Sequence, residues 1–243
     1  MTPSAHAVST SDGIRAVFDR YASGRSHVLV ICPGFFQSRS ARDFQQLARA
    51  CSEQTDVISL DFRGHVDSNG LYTFSAREGA ELQAILDWAK ARYERAVVMG
   101  FSLGGAIALN TVGSYRPFVE GLVAVSAPAS FEDIEFKFWT PEAIRTGWES
   151  LGKGIGCRPG NPCLPKQRPV ESVAQLSGLP LLFVHGTNDV IVGVEHSRRL
   201  FAAASEPKRL ELIDGGGHAE VLFRRDPEGF VRLVSQWMGG SHA

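Results

Sequence analysis

Short runs of β-branched and apolar residues recur along the chain, each bounded by turn-forming residues. They occupy residues 27–32, 56–60, 95–100, 119–125, 181–185 and 210–213. Because these runs show little alternation with polar residues, they predict buried parallel strands. Residues 14–21 have a mixed pattern and are predicted to form one more strand, at an edge of the sheet.

Stretches with helical periodicity separate these runs. They occupy residues 42–53, 77–93, 102–113, 195–204 and 227–238. Alternation of strand and helix predicts an α/β fold with a doubly wound, mostly parallel sheet. The 243 residues fit one such domain, residues 1–243.

One long interval, residues 127–178, interrupts the alternation. It is rich in aromatic residues and then in Gly, Pro and Lys, which predicts an inserted cap or lid. Trp139 and Trp148 within it are candidate substrate contacts. A plain helical excursion that covers the sheet edge is the alternative.

Composition narrows the class of protein. Hydrophobic residues make up 44% and charged residues 21% of the chain, as in soluble globular proteins. A formal net charge of -1 offers no field that would attract nucleic acid or anionic lipid. No apolar run approaches the roughly 20 residues that span a bilayer, and the start lacks a signal-peptide pattern. We therefore expect a cytoplasmic protein with neither a nucleic-acid nor a membrane partner; oligomeric state is not encoded in any pattern here.

The four cysteines do not suggest a disulfide scaffold. Cys32 and Cys51 fall in a predicted strand and a predicted helix, which indicates buried thiols. Cys157 and Cys163 flank a turn-rich segment and could form a local bridge or remain free. Their spacing is unlike a zinc site, and no metal is expected.

The sharpest chemical signal is Gly100-Phe101-Ser102-Leu103-Gly104, where a predicted strand passes directly into a predicted helix. A serine in so tight a turn has a strained backbone, so Gly100 and Gly104 must lack bulk for strand and helix to pass. The Ser102 hydroxyl then lies at a helix N-terminus, which favours developing negative charge. Ser102 is the predicted nucleophile.

With this motif the chain resembles the α/β-hydrolase fold family, in particular its serine esterases and lipases. The resemblance implies an acid after the next-to-last main strand and a base after the last one. Asp189 and His218 hold those positions. His218 would remove the proton of Ser102, and Asp189 would hold the imidazole in the correct tautomer.

Rival residues exist for both roles. Asp214 is the rival acid. Three other histidines are rival bases: His65, His185 and His196. None of these three follows the last strand. Asp61-Phe-Arg-Gly-His65 is similar to a turn of the family, and its role is predicted to be structural.

The resemblance also implies two donors for an oxyanion. One is the amide of Leu103, and the other is the amide of Phe35, in the segment Pro33-Gly34-Phe35-Phe36. Many relatives have histidine at the place of Pro33. Gly34 and Phe36 are expected beside the substrate. The alternative is a strand-ending turn with Phe35 and Phe36 packed in the core.

Together these residues predict a serine hydrolase that cleaves a small-molecule carboxylic ester through an acyl-enzyme, without a cofactor. The fold hosts many reactions, so thioesterase, peptidase, C–C hydrolase and cofactor-free perhydrolase activities stay open. A small-molecule receptor with slow turnover and a catalytically inactive scaffold are alternatives of another class. An intact triad argues against the scaffold, and sustained turnover would separate enzyme from receptor.

Overall fold

The computed structural model describes residues 2–134 and 156–239. One eight-stranded sheet has the order β1-β2-β4-β3-β5-β6-β7-β8. Strand β2 is antiparallel to both neighbours, and all other neighbouring pairs are parallel. The strands are β1 Ser4–Ser9, β2 Arg15–Tyr21, β3 His27–Cys32, β4 Asp56–Asp61, β5 Arg95–Phe101, β6 Val119–Val125, β7 Leu181–Gly186 and β8 Lys208–Ile213. The predicted mostly parallel sheet is confirmed.

Helices follow the strands near the predicted positions, and two short ones, α4 and α6, were not predicted. The helices are α1 Arg42–Cys51, α2 Gly79–Lys90, α3 Leu103–Thr111, α4 Pro169–Val173, α5 Glu195–Ala203, α6 Glu220–Arg225 and α7 Pro227–Gly239. A 3₁₀ turn, Val112–Tyr115, continues α3. Within the part of the chain that is described, no helix has the length and apolar character needed to cross a membrane.

Strand β3 shows why both faces of the sheet are covered. Val28, Val30 and Cys32 belong to a core that includes side chains of α2 and α3. Leu29 and Ile31 belong to a second core, with side chains of α1 and α7. A strand buried on both faces needs apolar residues at every position, which explains the missing alternation. The helices therefore lie on both faces, as a doubly wound sheet requires.

The predicted edge position of residues 14–21 is wrong. Strand β2 lies second in the sheet, and β1 is the edge strand. The side chains of β1 are exposed or half-buried, and several are small or polar, so no apolar run marked this strand. A turn containing Asp12-Gly13 joins the two strands, with Gly13 at φ 81°. This dipeptide is a hairpin signal that predicts the second strand.

Part of the predicted cap, including Trp139 and Trp148, lies outside the described residues. Where the description resumes, the chain packs on the loop after β4. The Arg158 N–H donates to Gly64 O at 2.7 Å, and the Tyr72 N–H donates to Arg158 O at 2.8 Å. This returning segment of the cap therefore rests on the scaffold beside β4.

All four cysteines are free thiols. Cys32 and Cys51 are buried, as predicted. Cys157 is half-buried, and Cys163 is exposed. Burial raises the pKa of Cys157 to about 12. Of the two alternatives for this pair, the structure has the unbridged one.

The segment after β4 is bonded into the scaffold. Asp61 accepts from the Arg39 N–H at 2.8 Å. Arg63 donates to Glu81 Oε1 at 2.7 Å and to Asp12 Oδ2 at 2.8 Å. These contacts fit the structural role predicted for the segment.

His65 in the same segment is a buried base without charge. Its Nδ1 donates to Arg63 O at 3.2 Å, and its ring lies edge-on to Tyr72, with 4.8 Å between the ring centroids. Its Nε2 is buried and has no hydrogen-bond partner among the described residues. Burial lowers the pKa of His65 from its ordinary 6.5 to about 4.

We therefore expect His65 to make the fold sensitive to acid. Between pH 6.5 and about 4 the unfolded chain binds a proton at His65 that the folded chain does not. The free energy of unfolding should fall by up to about 3 kcal/mol as the pH drops through this window. Urea titrations of wild type and His65→Phe at several pH values measure it, and the variant should lose part of the slope. His27→Gln, at an exposed histidine, should keep the wild-type slope; equal slopes for all three proteins would contradict this role of His65.

Candidate active site

Strand β5 turns directly into helix α3 through Ser102. This residue has φ 51° and ψ −122°, a region that L-residues rarely adopt. Its N–H donates to Val125 O, at the end of β6, at 2.8 Å. Helix α3 begins at Leu103, so Ser102 is the N-cap residue. The turn holds Ser102 at the carboxyl edge of the sheet.

Glycines make this turn possible. A Cβ added to Gly104 would collide with the carbonyl oxygens of Cys32 and Pro33, and one added to Gly100 would lie 2.5 Å from the Cα of Gly105. Real Cβ atoms do not approach other atoms so closely. The first turn of α3 therefore touches the end of β3, as the need for small residues on both sides of Ser102 predicted.

The segment after β3 lies against Ser102. A Cβ added to Gly34 would come within 3.1 Å of the Ser102 Cβ. The Gln37 N–H donates to Gly34 O at 3.2 Å and closes a turn, in which Phe36 has φ 62°. We call residues 34–37 the oxyanion turn, after the oxyanion donor that the sequence predicts in it. It carries the amide of Phe35 beside the predicted nucleophile.

The aromatic residues of this turn also pack into the core. The Phe35 ring centroid lies 3.9 Å from that of Phe36, 5.4 Å from that of Tyr72 and 5.1 Å from that of Phe74. The Phe35 ring packs against the core, as the alternative interpretation expects, while the backbone at Gly34 lies against Ser102. The amide of Leu103, at the start of α3, is among the first N–H groups of a helix, which have no acceptor within it.

Asp189 and His218 are hydrogen-bonded. His218 Nδ1 lies 2.7 Å from Asp189 Oδ2. The other carboxylate oxygen accepts from the N–H groups of Ile191 and Val192, each at 3.0 Å. An ionised carboxylate only accepts, so Nδ1 of His218 carries the proton and Nε2 has the lone pair of a base.

His185 contacts the same carboxylate oxygen as His218. Its Nε2 lies 2.7 Å from Val192 O and 3.3 Å from Asp189 Oδ2, and its Nδ1 lies 2.6 Å from Ser197 Oγ. Burial alone would raise the pKa of Asp189, but hydrogen bonds from His185 and His218 hold it well below its usual range. His185 is fully buried with both nitrogens occupied, so it is unsuited to act as the base.

The loops after β7 and β8 lie against each other. The Asn188 N–H donates to Gly216 O at 2.9 Å, and a Cβ on Gly186 would collide with that same oxygen. Asp214, the rival acid, is exposed, and its carboxylate accepts from Thr187 Oγ1 at 3.4 Å. The histidine of this loop pairs with Asp189 instead.

Ser126 links the turn at Ser102 to the loop that carries His218, and it was not predicted from the sequence. Its N–H donates to Val184 O at 2.9 Å. Its hydroxyl accepts from the N–H of Ala219, the residue after His218, at 3.0 Å. Since Val125, just before it, accepts from Ser102, these two residues connect the turn at Ser102 with strand β7 and with the loop that carries His218. A serine directly after the strand beside β5 was the available signal.

Other predicted residues are not brought to Ser102. Hydrogen bonds among the described residues do not include one between the Ser102 hydroxyl and the His218 ring, although such bonds often form only with substrate. His196 Nδ1 accepts from the Ala129 N–H at 3.0 Å and anchors the start of the cap. His65 is buried beside Tyr72. Residues 2–134 and 156–239 contain no group of three or more metal-ligating side chains.

Comparison with known proteins identifies the family of this chain. The sequence matches the model of the alpha/beta hydrolase family over residues 29–233. The chain belongs to the α/β hydrolase family. The uncharacterized protein YfhR of Escherichia coli K12 is 29% identical to this chain over 175 residues, which are 70% of this chain and 55% of YfhR. The uncharacterized protein Rv2307c of Mycobacterium tuberculosis H37Rv is 28% identical over 231 residues, which are 91% of this chain and 72% of Rv2307c. This chain thus spans about half the length of YfhR.

Solved α/β hydrolase structures share the whole fold. The esterase Pf2001 of Pyrococcus furiosus superposes with a TM-score of 0.81 at 19% identity, covering 100% of this chain and 92% of Pf2001. The esterase RhEst1 of Rhodococcus sp. ECU1013 has a TM-score of 0.81 at 20% identity, covering 99% of this chain and 100% of RhEst1. At such identities the likeness establishes the fold.

The geometry of this α/β hydrolase predicts unequal roles for its two candidate acids. Asp189→Asn keeps the shape but removes the charge that orients His218, so kcat/KM for a p-nitrophenyl ester should fall by about 10³–10⁴-fold. Asp214→Asn should lose less than about tenfold, because its side chain is exposed and accepts a long hydrogen bond of 3.4 Å from Thr187. Melting temperatures of both variants serve as the control for folding. A larger loss in Asp214→Asn than in Asp189→Asn would show that the acid is misassigned.

Proposed function

We propose that this α/β hydrolase cleaves small-molecule carboxylic esters with Ser102 as nucleophile, His218 as base and Asp189 as acid. The 2.7 Å hydrogen bond between His218 Nδ1 and Asp189 Oδ2 carries the proposal. It leaves Nε2 of His218 unprotonated, on a loop tied through Ser126 to the strand end that holds Ser102. A base so oriented can activate a serine hydroxyl, which is a poor nucleophile at neutral pH.

In the first half of the reaction, Ser102 Oγ attacks the ester carbonyl carbon and its proton passes to His218 Nε2. The carbonyl oxygen becomes an oxyanion that accepts from the amides of Leu103 and Phe35. As the C–O bond to the alcohol breaks, His218 returns the proton to the leaving oxygen. The acyl group remains on Ser102.

In the second half, water attacks the acyl carbon while His218 takes one of its protons. The tetrahedral intermediate uses the same two amides, and its collapse releases the carboxylic acid. His218 returns the proton to Ser102 Oγ. The ionised Asp189 stabilises the imidazolium in both halves, and its low pKa keeps it charged throughout. These steps need no cofactor.

An ester substrate is supported by the esterase names of two proteins with the same fold, Pf2001 and RhEst1. Gly34 and Phe36 of the oxyanion turn are the proposed neighbours of the acyl carbon. Trp139 and Trp148 are proposed to contact the substrate from the cap, because the cap leaves the sheet at the carboxyl end of β6, the edge that holds Ser102.

The nucleophile is tested by Ser102→Ala. We expect steady-state hydrolysis of p-nitrophenyl acetate and butyrate by wild type, and a loss of about four to six orders of magnitude in kcat for the variant. Ser114→Ala, an exposed serine in the 3₁₀ turn after α3, is the matched control and should keep full activity. Retention of a tenth of the activity by Ser102→Ala would reject the assignment. A single burst without further turnover by wild type would favour a receptor over an enzyme.

A further inference from the structure

Gln37 and Glu220 join the two sides of the proposed active site. Gln37 Nε2 donates to Glu220 Oε1 at 2.7 Å, although the residues are 183 positions apart in the chain. Gln37 closes the oxyanion turn through its N–H to Gly34 O. Glu220 is the first residue of α6 and lies two residues after His218. The bond therefore connects the turn that carries one proposed oxyanion donor to the loop that carries the proposed base.

The surroundings of Glu220 make its charge relevant to the base. Burial raises the pKa of Glu220, and the neighbouring positive charge of a protonated His218 acts against that rise. Asp43 on α1 and Arg224 on α6 also carry charges near Glu220. Arg224 donates to Asp43 at 3.3 Å, so these two opposite charges are paired. The carboxylates of Asp189 and Glu220 each interact favourably with a protonated His218.

We propose that Gln37 and Glu220 are positioning residues for the hydrolysis proposed above, on which this inference rests. Their hydrogen bond holds the Phe35 amide at a constant distance from His218, so that donor and base meet the same tetrahedral intermediate. The Glu220 carboxylate also stabilises the imidazolium that forms when Ser102 loses its proton. The pair acts through Phe35 and His218 and does not touch the reacting atoms.

Both contributions have a physical basis. An oxyanion donor is effective only when it is held in place before charge develops, because a loose donor must reorganise during the reaction. A carboxylate near an imidazole favours its charged form, by an amount that falls with distance and with exposure to water. If the pair only connected two loops, its removal would lower the stability of the fold without changing the pH dependence of turnover.

Two variants separate the bond from the charge. Gln37→Leu removes the hydrogen bond and keeps the carboxylate, so kcat should fall by about 5- to 50-fold with KM within about threefold, less than for loss of a whole donor. Glu220→Gln keeps an acceptor oxygen for Gln37 and removes the charge. Its kcat near pH 8 should fall less, and the acid limb of its kcat/KM profile should move to lower pH, by about half a unit.

Asp43→Asn is the matched control, since it removes the negative charge from the neighbouring contact between α1 and α6 without touching the oxyanion turn. Its kcat near pH 8 should stay within about twofold of wild type. The proposal is overturned if Gln37→Leu keeps wild-type kcat, if the acid limb of Glu220→Gln does not move, or if Asp43→Asn loses as much as Gln37→Leu.

A second readout keeps this test separate from the proposed function. The rate at which a fluorophosphonate labels Ser102 reports on serine activation without any ester substrate. A wild type that neither turns over esters nor labels would reject the proposed function. A wild type that labels while Gln37→Leu and Glu220→Gln label equally fast at every pH would reject only the positioning roles.

Discussion

The contact between the first turn of α3 and the end of β3 is the constraint on which the site depends. A single residue, Ser102, separates β5 from α3. The first turn of α3 therefore lies directly on the backbone of Cys32 and Pro33, where only a glycine fits at position 104. That contact imposes the left-handed backbone of Ser102. Gly34 also lies close to Ser102 at this place, so one steric requirement positions both the proposed nucleophile and the oxyanion turn. Any residue larger than glycine at position 104 would force α3 away from the end of β3 and would disturb the positions of Ser102 and the oxyanion turn.

The proposed acid and base depend on a second arrangement, the hydrogen-bonded loop after β7. Asp189 accepts from two backbone N–H groups, while His185 donates to the carbonyl of Val192 in the same loop. The Asp189 carboxylate is therefore held in place by contacts that do not involve His218, which lies on the loop after β8. His185 supports the proposed acid instead of competing as a base. Ser126 and the pair Gln37 and Glu220 then join this arrangement to the elbow.

The sequence predicted those features that local pattern determines. Fully apolar runs marked the parallel strands because each is buried on both faces, and Gly100 and Gly104 marked the elbow because sterics leave no other choice. Strand β1 was not predicted because an edge strand needs no apolar run, although the dipeptide Asp12-Gly13 is a hairpin signal. Helix α6 was missed because it is only one to two turns long.

Contacts across loops could not be read from one sequence. Ser126 and Gln37 acquire their roles from residues 93 and 183 positions away, and nothing in their local pattern encodes the partner. The partnership of His185 with Asp189 is similar in kind, since a buried histidine at a strand end looks like a base until its nitrogens are seen to be occupied. Tertiary packing supplies that information, and periodicity does not.

We propose that His218, oriented by Asp189, activates Ser102. This proposal is tested most directly by peptide mapping after reaction with a fluorophosphonate, for wild type and His218→Ala. The account predicts one phosphonyl group per chain, on the peptide that contains Ser102, and a labelling rate at least about 10³-fold lower in His218→Ala. Labelling at another residue, or at Ser102 with an equal rate in both proteins, would contradict it.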